Sequence, residues 1–564
     1  MEEIWPSDDT DDDTVVSEPT RNTSSQPIWQ LLFFLLLWQS VFRLSNAAIT
    51  SLLCFLKYFI GAVGNAFQCF QVVALSQQVP QTLSCAHSYV GIATNEFIEY
   101  VVCPSCHSVY EYKDCIHTVG GEKVSKYCCH IPYPNHPQRS RRQKCGAALL
   151  KKVRSGRGHR LVPIKVFPYF PLQKSMQRLA RRPGFLNTCE QWRARMSAVP
   201  NSHLGDIYDG RIWHDFNSPS CYNFLIAPLS YLLTLNVDWF QPFLHTEYSV
   251  GAIYLTIQNL PRDQRYKEEN VILVGVLPGP SEPNLVLNSY LTPLVEELKQ
   301  GWENGFGVTS CNHVQVNVRV ALSCIACDIP ASRKVSGFLG HNATLACNKC
   351  LKAFPVTFGS PIDYSGFDRE NWTPRSSSHH RQQCMEIMKE TTKTGQRKKE
   401  SECGVRFSIL LSLPYFDPVR FTVIDTMHNL YLGTGKHAFK VWVSQGLLSN
   451  DDLSEIDRRA RLFKTPLGVG RLPTNISSNY GGFKADQWRT WINVYSPVVL
   501  KGLLPNEHLH CWLLFVRASC ILSERIIKSD VVTADLLLVR YCRLFEELYG
   551  KDSCTMNLHL HLHL

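Results

Sequence analysis

At 564 residues, with 45% hydrophobic and 19% charged residues, the chain is too long for one small core and too apolar for a disordered polymer. Its 22 cysteines follow an acidic N-terminus with no positive signal-peptide region, so they read as metal-binding thiols in a reducing compartment and exclude a disulfide-rich secreted domain. The net charge of +10 points to a polyanionic partner rather than a cationic one.

Residues 1–27 read as an acidic disordered tail. In 28–90 the runs "IWQLLFFLLLWQSVF" and "AITSLLCFLKYFIGAVG" are intensely apolar, but Arg43 and Lys57 keep both short of the roughly 18 uninterrupted apolar residues of a spanning helix. They are predicted to be buried helices, and no membrane partner is expected.

Residues 91–150 hold "CPSCHSVYEYKDCIHTVGGEKVSKYCCHIPYPNHPQRSRRQKCG". A Cys-x-x-C turn supplies two thiolates to a tetrahedral Zn²⁺, and a second pair completes the site. Cys103 and Cys106 are the first pair. For the second, Cys129 with Cys145 is preferred over Cys128 and His136. A loop-rich unit with little core of its own relies on such a metal for folding energy.

Residues 151–223 read as a basic linker and DNA-binding region. From Arg139 to Arg182 there are 14 Lys or Arg and no Asp or Glu. Such a run cannot neutralise itself and favours phosphates as partners. Arg141, Arg142, Lys151, Lys152 and Arg154 are its expected DNA contacts.

Residues 224–345 show ordered strand and helix signals. "FLIAPLSYLLTLNVDWF" ends at Asp238, and "YSVGAIYLTIQNLP" and "ENVILVGVLPGP" follow, rich in β-branched residues. "YLTPLVEELKQGWENG" has helical spacing, and "VQVNVRVALSCIACDIP" alternates up to Asp328. In a β-β-β-α-β order with the first and fourth strands adjacent and parallel, Asp238 and Asp328 meet at one sheet edge. Two carboxylates held together call for hard cations, Mg²⁺ or Mn²⁺, and a metal pair serves phosphodiester chemistry. The competing reading is that Asp328 merely caps the next helix. Arg333 and Lys334 are placed to meet substrate phosphates.

Residues 346–545 read as a mostly helical insertion. Cys347 and Cys350 form half of a zinc site, and "MNLHLHLHL" offers His559, His561 and His563, read as a strand from its alternation with Leu. Cys324 and Cys327 diverge on a strand and are not expected to ligate together. Residues 546–564 read as a truncated return to the core.

The motifs "CPSCHSVY", "NVDWFQPF", "CDIPASRKVSGF", "CNKC", "IDTMHNLYLG" and "MNLHLHLHL" together resemble the transposases of CACTA (En/Spm-type) DNA transposons, from about residue 28 to the end. The family is similar, more distantly, to the catalytic subunit of the V(D)J recombinase. The resemblance implies an α/β fold with a ribonuclease-H-like (DDE transposase) core interrupted by the helical insertion. It implies Asp238 and Asp328 as the first two catalytic acids, and structural zinc joining Cys347 and Cys350 to His559 and His563. Asp425 and His428 match an Asp-x-x-His signature and are expected to be accessory. DNA is the implied partner, with a homo-oligomer and a nuclear location. A third acid is implied on a helix beyond the histidine motif, whereas the sequence stops at Leu564 and Asp486, Glu507, Glu524, Glu546 and Glu547 all precede that motif. The expected function is DNA cleavage and strand transfer, incomplete in this chain. The alternative is a non-catalytic zinc-dependent DNA-binding protein derived from a transposase.

Overall fold

The computed structural model describes residues 27–42, 44–91, 96–133, 136, 138, 143–155, 158–196, 202–280, 282, 287–355, 359, 361–464, 469, 476–523 and 526–564. The expected acidic tail lies outside them, except for its last residue, Pro27. The chain divides into two compact units, residues 1–98 with 153–160, and residues 99–152 with 161–564.

The described residues of 27–90 in the first unit are helical: α1 (Pro27–Phe42), α2 (Asn46–Ala66), α3 (Phe70–Gln78) and α4 (Leu83–Val90). Ser45 and Thr82 cap α2 and α4 by accepting from the amides of Ala48 and Cys85. Ile28, Leu32, Leu35, Ile49, Leu53, Val79 and Ala86 form the shared core. Gly64 lets α3 approach α2, because a Cβ there would lie 2.8 Å from the Val73 amide nitrogen. The two apolar runs are not the fully buried helices expected. Phe34, Phe42, Phe55, Tyr58 and Phe59 are exposed. Helix α2 is long and apolar enough to cross a membrane by length and composition, Lys57 notwithstanding.

The second unit is built on an eight-stranded mixed sheet. Its strands are β1 (Ile98–Val102), β2 (Val109–Tyr110), β3 (Val166–Tyr169), β4 (Ser230–Phe240), β5 (Val250–Ile257), β6 (Val271–Leu277), β7 (Phe306–Thr309) and β8 (Gln315–Ile325). Their spatial order is β7-β8-β4-β5-β6-β3-β1-β2. β4, β5 and β6 are antiparallel neighbours, while β8 lies parallel to β4. A parallel neighbour needs a crossover. It is supplied by α5 (Leu287–Glu303), which buries Leu287, Tyr290, Leu291, Leu294, Val295, Leu298 and Gly301 at helical spacing. The expected β-β-β-α-β order is therefore present, with one short extra strand, β7, antiparallel to β8.

The described residues of 166–223 are not a linker. Phe167, Tyr169, Leu172, Met176, Trp192, Trp213 and Phe216 belong to the same core as the sheet. Part of the basic run is likewise committed to structure, since Arg182 donates to the Glu269 carbonyl at 2.7 Å. Beyond β8 comes the short helix α6 (Ile329–Ser336), and the described residues of 377–549 are mostly helical. A second core gathers there around Trp442, Trp488, Trp491 and Trp512, with α7 (Asn506–Ser523) packed on α8 (Lys528–Tyr549). The last helix is α9 (Met556–His561).

Candidate metal centres and an acidic sheet edge

β1 delivers Cys103 to the end of the sheet, and the following turn folds back so that the Cys106 amide donates to Cys103 Sγ at 3.5 Å. The second pair comes from a paired backbone: the Cys128 amide donates to Ala147 O, and Gly146 donates back to Cys128 O. This turns Cys128 inward beside Cys145. The four sulfurs of Cys103, Cys106, Cys128 and Cys145 lie within 4.8 Å of one another. Cys103 to Cys145 is 3.6 Å and Cys106 to Cys128 is 3.4 Å. A tetrahedral ion with Zn–S bonds of about 2.3 Å has sulfur–sulfur edges of about 3.8 Å, so the set fits zinc. Cys129, the preferred ligand from sequence, is exposed and outside the group, with the Tyr110 hydroxyl at 3.8 Å. Cys128 takes its place, and His136 instead accepts from the Gln138 amide. Burial pushes the Cys103 thiol up and Cys128 up to about 12. Burial also raises Cys106, but hydrogen bonds with Ser108 and Cys128 bring it below its ordinary value.

The second cluster joins Cys347 and Cys350 to His559 and His563, again within 4.8 Å. Cys350 Sγ stands 3.4 Å from His559 Nε2, and the two Nε2 atoms are 3.3 Å apart. Tetrahedral Zn–S and Zn–N bonds of about 2.3 and 2.05 Å give edges of about 3.6 and 3.3 Å. The C-terminal tract is not a strand: His559 lies in α9 and His563 just beyond it, four residues on and on the same side. His561 points elsewhere, accepting at Nε2 from the Cys542 thiol at 2.8 Å, and burial lowers it to about 3. Burial opposes a thiolate at Cys347, yet hydrogen bonds with Cys350, His559 and His563 hold its pKa well below the ordinary value.

The acidic edge follows from register. In the parallel pair β4–β8, Leu235 is opposite Ile325, and Asp238 and Asp328 each lie three residues further on. The Asn236 amide group bridges to Ala326 O at 2.5 Å, and the Val237 amide donates to Cys327 Sγ, which fixes the two chains up to the acids. Asp238 Oδ1 accepts from the Trp239 amide at 2.9 Å. Asp328 also caps α6, accepting from Ala331 at 2.7 Å. The capping role and the edge position thus coexist. A third segment joins them: Thr422 bridges Ile325 in parallel, and Asp425 again lies three residues on. Asp425 Oδ2 is 2.5 Å from His428 Nδ1. That contact raises the His428 pKa, and the charges of Asp328 and Asp238 add to it. His428 sits at the start of a π-helical stretch, Met427–Gly435. π-Helical turns are frequent at functional sites.

Of the two cations expected at this edge, neither is free for a phosphate. Arg333 is 2% exposed and donates to the carbonyls of Ala346 and Leu339. It is enclosed because this short helix is buried on more than one side, with Ala331, Ser332, Val335 and Ser336 also buried. Lys334 pairs with Glu282 at 2.6 Å and lies over the Trp239 ring.

In the basic region, Lys151, Lys152 and Arg154 are exposed on the hairpin strand Leu150–Ser155, which pairs with Gly158–Pro163. His159 and Arg160 are exposed on the second strand. Arg141 and Arg142 lie outside the described residues.

Residues 202–399 match a family described as "Transposase family tnp2". The match spans Asp238, Asp328, Cys347 and Cys350, and this part of the chain is transposase-like. No curated protein matches the chain.

Proposed function

We propose that the chain is a CACTA-type DNA transposase-like protein with a ribonuclease-H-like core, working on DNA in the nucleus and carrying in Asp238 and Asp328 two of the acids that metal-dependent cleavage and strand transfer use. The single observation that carries this reading is the shared register of Asp238 and Asp328 at the end of parallel β4 and β8, within the transposase-like segment. Two carboxylates at the open end of a sheet are a hard, oxygen-only donor set, which fits Mg²⁺ or Mn²⁺. Such ions, when bound, supply nucleophile activation and charge stabilisation at the leaving oxygen.

The chain's own residues do the rest. Asp238 and Asp328 hold the reacting phosphate's surroundings in one place, because the β4–β8 pairing fixes both backbones. Asp425 fixes His428 through Nδ1. Lys151, Lys152 and Arg154 supply sequence-independent phosphate contacts. A water oxygen attacks phosphorus, the P–O3′ bond breaks, and the 3′-oxygen leaves as a hydroxyl, the water's proton balancing the one it takes up. That hydroxyl then attacks a target phosphorus, breaking the target strand's P–O3′ bond and freeing a target 3′-hydroxyl. Joining two element ends calls for a second copy of the chain.

The test is Mn²⁺-dependent nicking of supercoiled DNA by the zinc-loaded chain. Asp238→Ala and Asp328→Ala should each lower the rate at least a hundredfold, at unchanged DNA affinity. Nicking at the wild-type rate by both variants would sink the assignment. DNA binding without nicking or Mn²⁺ binding would favour the non-catalytic zinc-dependent DNA-binding protein.

A further inference from the structure

The Cys347–Cys350 turn does more than supply two sulfurs. Its two middle residues reach into the acid-bearing segment. Lys349 Nζ donates to the carbonyls of Val419 at 2.5 Å and Thr422 at 2.8 Å. The Asn348 amide group donates to Thr422 O at 3.4 Å. Thr422 is the residue that bridges Ile325 and starts the three-residue step to Asp425. On the other flank of the turn, Ala346 O accepts from Arg333, which belongs to the helix capped by Asp328. The histidine arm behaves in the same way. Asn557, on α9 with His559, accepts from Asn429 Nδ2 at 3.0 Å through its carbonyl and at 3.2 Å through its side chain. Asn429 is the neighbour of His428. Leu560 of α9 lines the same crevice as Asn348, Asp425 and His428.

Three acid-edge segments therefore hang from one metal centre: the Asp328 helix through Arg333, the Asp425 segment through Asn348 and Lys349, and the His428 turn through Asn557. The two halves of that centre are about 200 residues apart in sequence, and four ligand bonds of a structural zinc contribute far more than the few hydrogen bonds around it. We infer that the C-terminal zinc centre sets the geometry of the acid edge, with Lys349, Asn348 and Asn557 as its positioning residues. The inference rests on the reading of that edge as a divalent-cation site only for its consequence, not for the coupling itself.

The test uses the full zinc-loaded chain with two readouts, hydrogen exchange and Mn²⁺ titration calorimetry. Lys349→Met keeps all four ligands and removes two hydrogen bonds. It should speed exchange of the amides in 423–429 about tenfold, leave 250–257 unchanged, and weaken Mn²⁺ binding by about tenfold, the usual effect of removing a support behind a ligand. Lys349→Arg should restore both. Cys347→Ser should act in the same direction and more strongly. If it unfolds the chain, exchange will rise everywhere and Lys349→Met decides. Wild-type exchange at 423–429 in Lys349→Met overturns the inference. Faster exchange there, in a protein whose wild type binds no Mn²⁺, supports the coupling and removes the metal reading of the acid edge instead.

Discussion

Adjacent cysteines at 128 and 129 give the sharpest quantitative prediction. Cys128→Ser removes one of four sulfurs from a cluster whose edges, 3.4 and 3.6 Å, are already close to those of a zinc tetrahedron. Structural zinc binds with an apparent 10–16 kcal/mol, so one ligand in four carries roughly 3–4 kcal/mol, a loss of roughly a hundred- to a thousandfold in zinc affinity. Cys129→Ser changes an exposed side chain outside the cluster, and its zinc affinity should stay within about twofold of wild type. Competition against a chromophoric chelator under reducing conditions, with elemental analysis for stoichiometry, separates the two. The wild type should hold two equivalents, Cys129→Ser two, and Cys128→Ser one after mild chelation. A large loss in Cys129→Ser with none in Cys128→Ser would refute the backbone pairing with Ala147 as the reason for the choice.

Gly301→Ala in α5 would normally add about 1 kcal/mol of helix propensity, but its Cβ would lie 2.3 Å from Val320 Cγ2 on β8. Overpacking should win by about 1–3 kcal/mol and lower the melting temperature, and a rise would refute close packing of α5 on the sheet. Alanine at Lys151, Lys152 and Arg154 should flatten the slope of log DNA affinity against log salt by up to about 2.7, and an unchanged slope would mean the hairpin does not meet phosphates. For Asp425 and His428 the signs oppose. The histidine value is raised, so its contribution is complete below its unfolded value of about 6.5 and disappears as pH rises through the folded value. The aspartate value is lowered despite burial, so its contribution is complete above its unfolded value of about 3.9 and disappears on acidification. The pair should stabilise most between about pH 4 and 6.5. Asp425→Asn should lower the His428 midpoint read by NMR, and no shift would break the pair.

The parts of this protein that were legible in its sequence are those where one periodicity has a single structural outcome. Val316, Val318 and Val320 alternate over a stretch long enough to be a strand, and Tyr290 to Gly301 repeats at helical spacing over about three turns. The tract "LHLHLHL" is different, because residues four apart share a face in a strand and in a helix alike. Alternation over so few residues cannot separate the two, but only the helix brings His559 and His563 to one ion, since a strand would leave them about 13 Å apart. The choice of Cys128 over Cys129 depended on a pairing with Ala147 that no local pattern announces. Arg333 was misread because a cation beside an acid looks like a phosphate ligand, whereas it is spent on the carbonyls of Leu339 and Ala346, contacts that no helical periodicity announces. Least visible was the segment Thr422–Asp425, whose contact with β8 is a single bridge nearly a hundred residues away in sequence. Its place at the acid edge is set by Lys349 and Asn348, residues that in sequence are only the variable positions of a Cys-x-x-Cys turn. A metal turn that spends its variable positions on hydrogen bonds to another segment is acting as a bracket between chains, and that is why the acid edge and the zinc centre occupy one neighbourhood.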